Sequence, residues 1–450
     1  MFSGKAQGLL FETLLRRFER KQRTPQDIRR GAQLLHGRLR SIDRCTIMAV
    51  QQIRLQRMVD YLEGHSEYYR QLFRRTGIRS DDIRSADDLS GLPLTHGNDL
   101  RDRESDIRCI PENSISASFL SSGTSGKPKR VDYSFEDVQA AANNGATLVL
   151  SEHGDAPLVA AIAMPVRHGL WIGWRQSAWI IEKAGGLALT LGDEDPSLVA
   201  ETMSRDRCNM LMSSPSFMLR LIDAFGTEEK PPLTRIILGS ERLDAKDLEA
   251  VRAAFPTADV HTSYGTTELG VGLAFSWKNE RSMVFDEVDL VVELVDPETG
   301  EPEDEGELVF STMSRRAMPL LRDQSGDRAR WADHGAPYAL RAVEILGRTD
   351  DVLVVAGSKI SAEVIAVTVR DVAGGQRRRV AVSMHKGEGH QILHVSVEGE
   401  IDADALQERL FERAPRLRDQ VGARKLTIEI VSGADLGGQV KPLSVSQLTD

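Results

Sequence analysis

The sequence predicts an α/β protein: a large N-terminal domain of parallel-sheet α/β layers, then a small C-terminal α+β domain. Three observations carry this. Between about residues 112 and 310, short apolar runs alternate with segments of helical spacing, and strand-then-helix repetition implies parallel strands covered by helices. Polar motifs at 121–129, 239–241 and 264–268 each follow an apolar run, so they can meet where such sheets bind ligands, beyond the carboxyl ends of strands. After Arg348 the pattern changes to short alternating strands. With 450 residues, 41% of them hydrophobic, the chain can form two or three domains with large cores.

Taken in order, residues 8–75 alternate charge with Leu, Ile, Phe and Met at helical spacing and predict amphipathic helices. They define an N-terminal helical region, residues 1–75, packed on a large domain, residues 76–347. The alternating run 115–119 reads as a strand leading into a polar loop. The apolar runs 158–162, 187–191, 209–212 and 235–238 read as strands. In the small domain, residues 348–450, strands are expected at 380–384, 393–397 and 426–430, with a helix over 403–414. About one hundred residues is a usual domain size.

The loop after the first strand reads Ser121-Ser122-Gly123-Thr124-Ser125-Gly126-Lys127-Pro128-Lys129. Glycines let backbone N–H groups turn toward an anion at little steric cost. Hydroxyls add donors, and lysines add charge without a fixed direction. This is the chemistry of a loop that holds a polyphosphate. A Walker loop needs four residues between its glycines and Lys followed by Ser or Thr. Here two residues separate Gly123 from Gly126, and Pro128 follows Lys127, which disfavours a P-loop kinase or GTPase.

Net charge is −10, from 57 basic and 67 acidic residues, which disfavours a nucleic-acid surface. Cys45, Cys109 and Cys208 are too few for a disulfide framework and lack zinc-site spacing. No apolar run approaches the length of a membrane span. The first 22 residues mix Leu and Phe with charges and do not read as a signal peptide. A soluble cytoplasmic protein is the expectation.

The run ending Gly126-Lys127-Pro128-Lys129 resembles the signature phosphate loop of the acyl-adenylate-forming ligases. Other stretches fit in the same order. Tyr264-Gly265-Thr266-Thr267-Glu268 resembles that family's Tyr-Gly-x-Thr-Glu motif, Leu238-Gly239-Ser240-Glu241 its adenine-pocket segment, Gln324-Ser325-Gly326-Asp327 its ribose-binding Thr-Gly-Asp, and Leu346-Gly347-Arg348-Thr349-Asp350-Asp351 its hinge. The phenylacetate–CoA ligase-like branch is the most similar, through Arg54-Leu-Gln-Arg-Met-Val59, Glu67-Tyr68-Tyr69-Arg70 and Leu92-Pro93-Leu94-Thr95. The resemblance covers about residues 45–445. The stretch before it is read as a cap on the large domain, with a homodimer contact as the alternative.

The resemblance implies a reaction in two halves. A carboxylate attacks the α-phosphate of ATP, giving an acyl-adenylate and pyrophosphate, and a thiol then displaces AMP. Small-molecule carboxylic acid, ATP, Mg2+ and coenzyme A are the implied substrates and cofactor. Ser122, Gly123, Thr124, Ser125, Gly126 and Lys129 would hold phosphates, and Glu268 would bind Mg2+, a hard cation. Thr267, beside Thr266 and Gly265, would donate to the α-phosphate. Tyr264 would lie against adenine, with Gly239, Ser240 and Glu241 as the pocket wall; core packing is the alternative for this aromatic. Asp327 would accept from the ribose hydroxyls, and Arg348 would contact ribose or phosphate oxygens. Asp350 would be the hinge about which the small, mobile domain rotates between half-reactions.

The acyl pocket is expected near His168, Trp171, Trp174 and Trp179, with Ser214, Pro215 and Ser216 as a lining turn; tryptophans in the core are the alternative. Some relatives in this branch carry a Cys/His metal site after the Tyr-Gly-x-Thr-Glu motif. Here Met283 stands where a His is expected, so no zinc is predicted. Family members usually carry a lysine after a glycine near the C-terminus, bridging acid and α-phosphate. Here that glycine is followed by Gln439, with Lys441 two residues on. Gln cannot supply a cation, so Lys441 is the candidate. The expected activity is an aryl- or acyl-CoA ligase. Transfer to a separate carrier-protein thiol or an amine, and a catalytically reduced nucleotide-binding homologue, are the alternatives.

Overall fold

The computed structural model describes residues 4–21, 24–121, 129–151, 157–164, 172–193, 195–226, 229–241, 243, 245–349, 352–355, 358–376, 378–386, 390–436 and 443–447. The chain divides into a large unit, drawn from residues before Gly347, and a small one of the residues from Gly347 onward together with Gly326–Arg328.

In the large unit, four helices come first: α1 (Gly4–Lys21), α2 (Pro25–Leu39), α3 (Arg44–His65) and α4 (Glu67–Thr76). Asp43 caps α3 by accepting from Thr46 N–H, and Gly77 ends α4 in the left-handed region at φ 73°. A hairpin of β1 (Ile115–Leu120) and β2 (Arg130–Ser134) follows, antiparallel, with Phe119 opposite Val131. Leu55, Leu62, Tyr69 and Phe73 of α3 and α4 share one buried cluster with Phe119, Val131 and Tyr133 of this hairpin.

The main sheet begins with β3 (Val159–Ala163), β4 (Leu187–Thr190), β5 (Met210–Ser213), β6 (Arg235–Leu238) and β7 (Asp259–Thr266). These five pair in parallel, in the order β4-β3-β5-β6-β7. Both faces are covered. Leu211, Ile236 and Val260 meet one apolar cluster, while Met210, Met212 and Ile237 meet another. Strands buried on both faces read as continuous apolar runs, which is how the sequence marks them.

Beyond β7 the sheet continues through β8 (Gly270–Ser276), β9 (Met283–Phe285), β10 (Leu290–Val295), β11 (Glu305–Thr312), β12 (Asp323–Ala332) and β13 (Ala342–Arg348). The order is β10-β11-β12-β13-β9-β8-β7-β6-β5-β3-β4. Here β7–β8, β8–β9, β9–β13 and β10–β11 are antiparallel. The expected α/β class holds, but the sheet is mixed rather than parallel throughout. Buried runs such as Leu290–Val295 look alike in either direction, since burial sets the composition and connection length sets the direction.

The small unit contains β14 (Val352–Val355), β15 (Ser358–Ser361), β16 (Val380–Lys386), β17 (Gln391–Val397), β18 (Leu426–Val431) and β19 (Leu443–Gln447). The last four form a sheet in the order β18-β17-β16-β19. Val380, Val382, Leu393, Val395 and Val397 turn inward onto Leu406, Leu410 and Leu417 of the helices Ala403–Arg413 and Pro415–Gly422. Those two helices make the crossover that the parallel pair β17–β18 requires.

A buried charge cluster joins the N-terminal helices to the sheet of the large unit. Arg54 Nε donates to Glu12 Oε2 at 2.7 Å, and Arg54 Nη1 donates to Asp289. Glu287 accepts from Arg44 and Arg341, each at 2.8 Å. Burial, reinforced by the charge of Asp289, pushes the Asp286 carboxyl up to about 7. Between about pH 4 and pH 7 folded Asp286 holds a proton that the unfolded chain releases, so this group's contribution to stability falls as pH rises through that window. Asp286→Asn keeps the oxygen that accepts from Val288 N–H and removes the charge. The variant is expected to be more stable than the parent at pH 8, by on the order of 1–4 kcal/mol, and equal to it near pH 4. Thermal melts across that range check it; a constant offset at every pH contradicts it.

Candidate active site

The polyphosphate-type loop joins β1 to β2. Ser122, Gly123, Thr124, Ser125 and Gly126 lie outside the described residues, but the base of the loop is described. Ser121 N–H donates to Lys129 O at 2.9 Å, and Lys129 N–H donates to Ser121 Oγ at 2.9 Å. The loop thus springs from a closed antiparallel hairpin rather than from the end of a parallel strand. Its closed base directs Lys129, whose ammonium forms an ion pair with Glu268 Oε1.

Glu268 sits in the turn from β7 to β8. That turn needs two glycines. A Cβ on Gly265 would lie 2.5 Å from Gly270 O, and Gly270 has φ 105°. Thr267 and Glu268 are both buried, at 8% and 5% exposure. Tyr133 of β2 donates its hydroxyl to Thr267 O at 3.0 Å, and Arg315 Nη2 donates to Glu268 O. Thr266 Oγ1 accepts from Leu269 N–H at 3.2 Å.

A second carboxyl group stands near this pair. Asp323, at the start of β12, is buried, and its Oδ1 has no hydrogen-bond partner among the described residues. Burial and then the charge of Glu268 hold its carboxyl well above the usual range, against the pull of Lys129. Burial works against the charge on Lys129, but Glu268 and Asp323 outweigh it and raise its pKa. One ammonium is therefore held among carboxylates in a largely dry site, where charge interactions are strong. Oxygen donors already balanced by a cation are the donor set that a hard divalent ion takes.

The segment Gly239–Glu241 follows β6 directly. A Cβ on Gly239 would lie 2.6 Å from Ser263 Oγ and 3.3 Å from Ser263 O of β7, so a larger residue would have to displace the Ser263 side chain. Ser240 takes φ 71°, a left-handed conformation uncommon without glycine. Glu241 accepts from Ser216 N–H at 3.0 Å and from Ser216 Oγ at 2.7 Å. Two stretches singled out separately in the sequence are thus joined, at the start of the helix Pro215–Phe225 that Ser214 caps. Tyr264 lies within β7 rather than after it. Its ring packs 5.7 Å from Phe285 and 5.9 Å from Phe310, centroid to centroid, in the core of the antiparallel half.

The two described tryptophans of the expected acyl pocket pack in different clusters of the large unit. Trp174 packs with the cluster under the parallel strands and Trp179 with the cluster of α3 and α4, so they do not share one floor. Trp179 lies under the Arg175 guanidinium, at 4.7 Å, and lines a cavity of about 270 Å3 with Val138, Gln139, Ala142, Glu182 and Lys183. Asp327 and Arg348 face each other at 3.4 Å within the small unit. His168, Trp171, Asp350, Gln439 and Lys441 lie outside the described residues. Sequence reasoning missed Tyr133, Arg315 and Asp323. None stands in a glycine-rich motif, and each reads as an ordinary strand aromatic, loop cation or surface acid.

Comparison with known proteins follows the same residues. The profile of the family described as AMP-binding enzyme matches residues 63–314. The phenylacetate–coenzyme A ligase of Aromatoleum evansii is 29% identical over 324 residues, covering 69% of this chain and 72% of that one. That of Thermus thermophilus is 28% identical over 348 residues, covering 72% and 75%. Among solved structures, 2-hydroxyisobutyryl-CoA ligase in the postadenylation state with 2-HIB-AMP superposes with a TM-score of 0.70, at 18% identity and 89% of each chain.

Proposed function

The chain belongs to the AMP-binding enzyme family, and from that premise we propose that it activates a carboxylic acid with ATP and passes the acyl group to coenzyme A. The acid attacks the α-phosphate, pyrophosphate leaves, and an acyl-adenylate forms. The thiol then attacks the acyl carbon and AMP leaves. Relatives named phenylacetate–coenzyme A ligase at 28–29% identity support both halves.

The observation that carries this reading is the Lys129–Glu268 pair. It joins the base of the Ser/Gly/Lys loop to the Thr267–Glu268 turn inside the family match. Lys129 supplies charge toward the β- and γ-phosphates beside the loop residues Ser122, Gly123, Thr124, Ser125 and Gly126. Thr267 donates toward the α-phosphate. The buried carboxylate of Glu268 would hold Mg2+, a hard cation, which would supply positive charge against that of the phosphates. Gly239, Ser240 and Glu241 form the wall of the adenine site; Tyr264, packed on Phe285 and Phe310, is its floor from below rather than a free stacking surface. Asp327 accepts from ribose hydroxyls and Arg348 orients it. Asp350 is the hinge, His168 belongs to the acyl and thiol path, and Lys441 supplies the cation that Gln439 cannot.

Pyrophosphate release from ATP, measured over a panel of aryl, alkyl and amino acids with and without coenzyme A, tests the reading. Release that needs one acid class and rises with coenzyme A is expected. Release indifferent to coenzyme A moves the acceptor to a carrier thiol or an amine. No release with any acid, despite bound ATP, overturns the ligase.

A further inference from the structure

Resting on that reading, we propose that Tyr133 and Arg315 are positioning residues that hold the Thr267–Glu268 turn while the Glu268 side chain changes partner. Their geometry singles them out. The Arg315 guanidinium lies 3.8 Å above the Tyr133 ring. The Tyr133 hydroxyl donates to Thr267 O at 3.0 Å, and Arg315 donates to Glu268 O. Two consecutive backbone carbonyls are thereby claimed by one stacked pair of side chains.

A trans peptide is planar, so pinning Thr267 O also aims the N–H of Glu268 the opposite way. Pinning Glu268 O as well leaves the backbone of Glu268 little rotation, and this sets the direction in which its carboxylate leaves the chain. Both side chains that do the pinning are buried, at 1% exposure for Tyr133 and 8% for Arg315. The Phe119 ring meets Tyr133 edge to face at 5.3 Å, which locks the phenol from the neighbouring strand. Burial pushes the Tyr133 phenol up, so it remains a donor at neutral pH.

The hairpin that carries the polyphosphate loop thus grips the turn twice. One grip is the ion pair of Lys129 with the Glu268 side chain; the other is Tyr133 to the Thr267 backbone. Phosphate and cation compete for both partners of the first grip. The second touches only backbone and persists, and Arg315 braces it from the segment after β11. A planar guanidinium can stack on the ring and donate in its own plane at once, which an ammonium cannot.

The test is calorimetric ATP affinity of the full chain, with Mg2+ and with EDTA, alongside melting curves. Tyr133→Phe keeps the ring beneath Arg315 and removes one hydroxyl. Arg315→Met removes the brace, and Arg315→Lys restores a cation. Expected is a loss of about tenfold in the Mg2+-dependent gain of ATP affinity for Tyr133→Phe and Arg315→Met, with Arg315→Lys between. Affinity in EDTA should move less than about twofold. A structural role alone would lower the melting temperature and leave the Mg2+ gain intact, which overturns the proposal; equal losses with and without Mg2+ overturn it too. If Arg315→Met does not fold, the near-isosteric Tyr133→Phe decides. A parent protein that binds no ATP in Mg2+ sinks the ligase reading, and this role with it.

Discussion

Glu268→Gln is expected to slow pyrophosphate release by about a hundredfold or more, the scale on which one preorganised charge contact at a reacting centre counts. The substitution keeps size and hydrogen-bonding shape. It removes the negative charge that the Lys129 ammonium faces in a site where Glu268 is 5% exposed. Two losses add. On the proposed role, a cation bound with ATP would lose its buried carboxylate, and Lys129 would lose the partner of its ion pair. The Asp323 carboxyl should then fall back toward the usual range, because the Glu268 charge that helps raise it is gone. Acid-dependent pyrophosphate–ATP exchange is the measurement. A loss below tenfold with unchanged melting removes Glu268 from the chemistry.

Arg54→Ala carries the largest expected stability effect. Arg54 is 6% exposed and holds Glu12 and Asp289 at once. Removing one partner of a buried ion pair costs roughly 3–5 kcal/mol, because the other charge stays buried without it. Some relief exists. Glu12 keeps Arg16 and Arg57, and Asp289 keeps the Asn144 amide. Asp286 loses the Arg54 charge that lowers its pKa, so the loss should grow with pH. Denaturant unfolding of Arg54→Ala beside Arg54→Met, which refills most of the volume, separates charge from packing. Equal and small losses, under about 1 kcal/mol, would show that the cluster contributes nothing net.

The candidate site was marked in the sequence where particular residues stand side by side. A loop that presents backbone N–H groups to phosphate needs glycines and hydroxyls side by side, so 121–129 announces itself. The close approach at Gly239 and the turn at Gly265 leave the same kind of mark, whereas Gly270, which completes that turn, was shown only by the structure. Longer-range placement was not legible. Tyr264 reads from its motif as either a ligand-facing aromatic or a core residue, and only the structure shows its ring packed among Phe285 and Phe310. Trp174 and Trp179 read as neighbours, yet the helix Ile172–Lys183 turns them into different clusters.

The sequence by itself determined the α/β class, the helical N-terminus, four of the five parallel strands and the glycines of the motifs it marked, Gly239 and Gly265 among them. Each of these follows from periodicity or from a conformation that only certain residues adopt cheaply. Tertiary structure alone decided that half the sheet runs antiparallel, that Lys129 reaches Glu268, and that Tyr133, Arg315 and Asp323 gather around it. Those residues are separated by up to 194 positions, from Lys129 to Asp323. No local rule links them; burial against one another, in a place where an unpaired charge is costly, does.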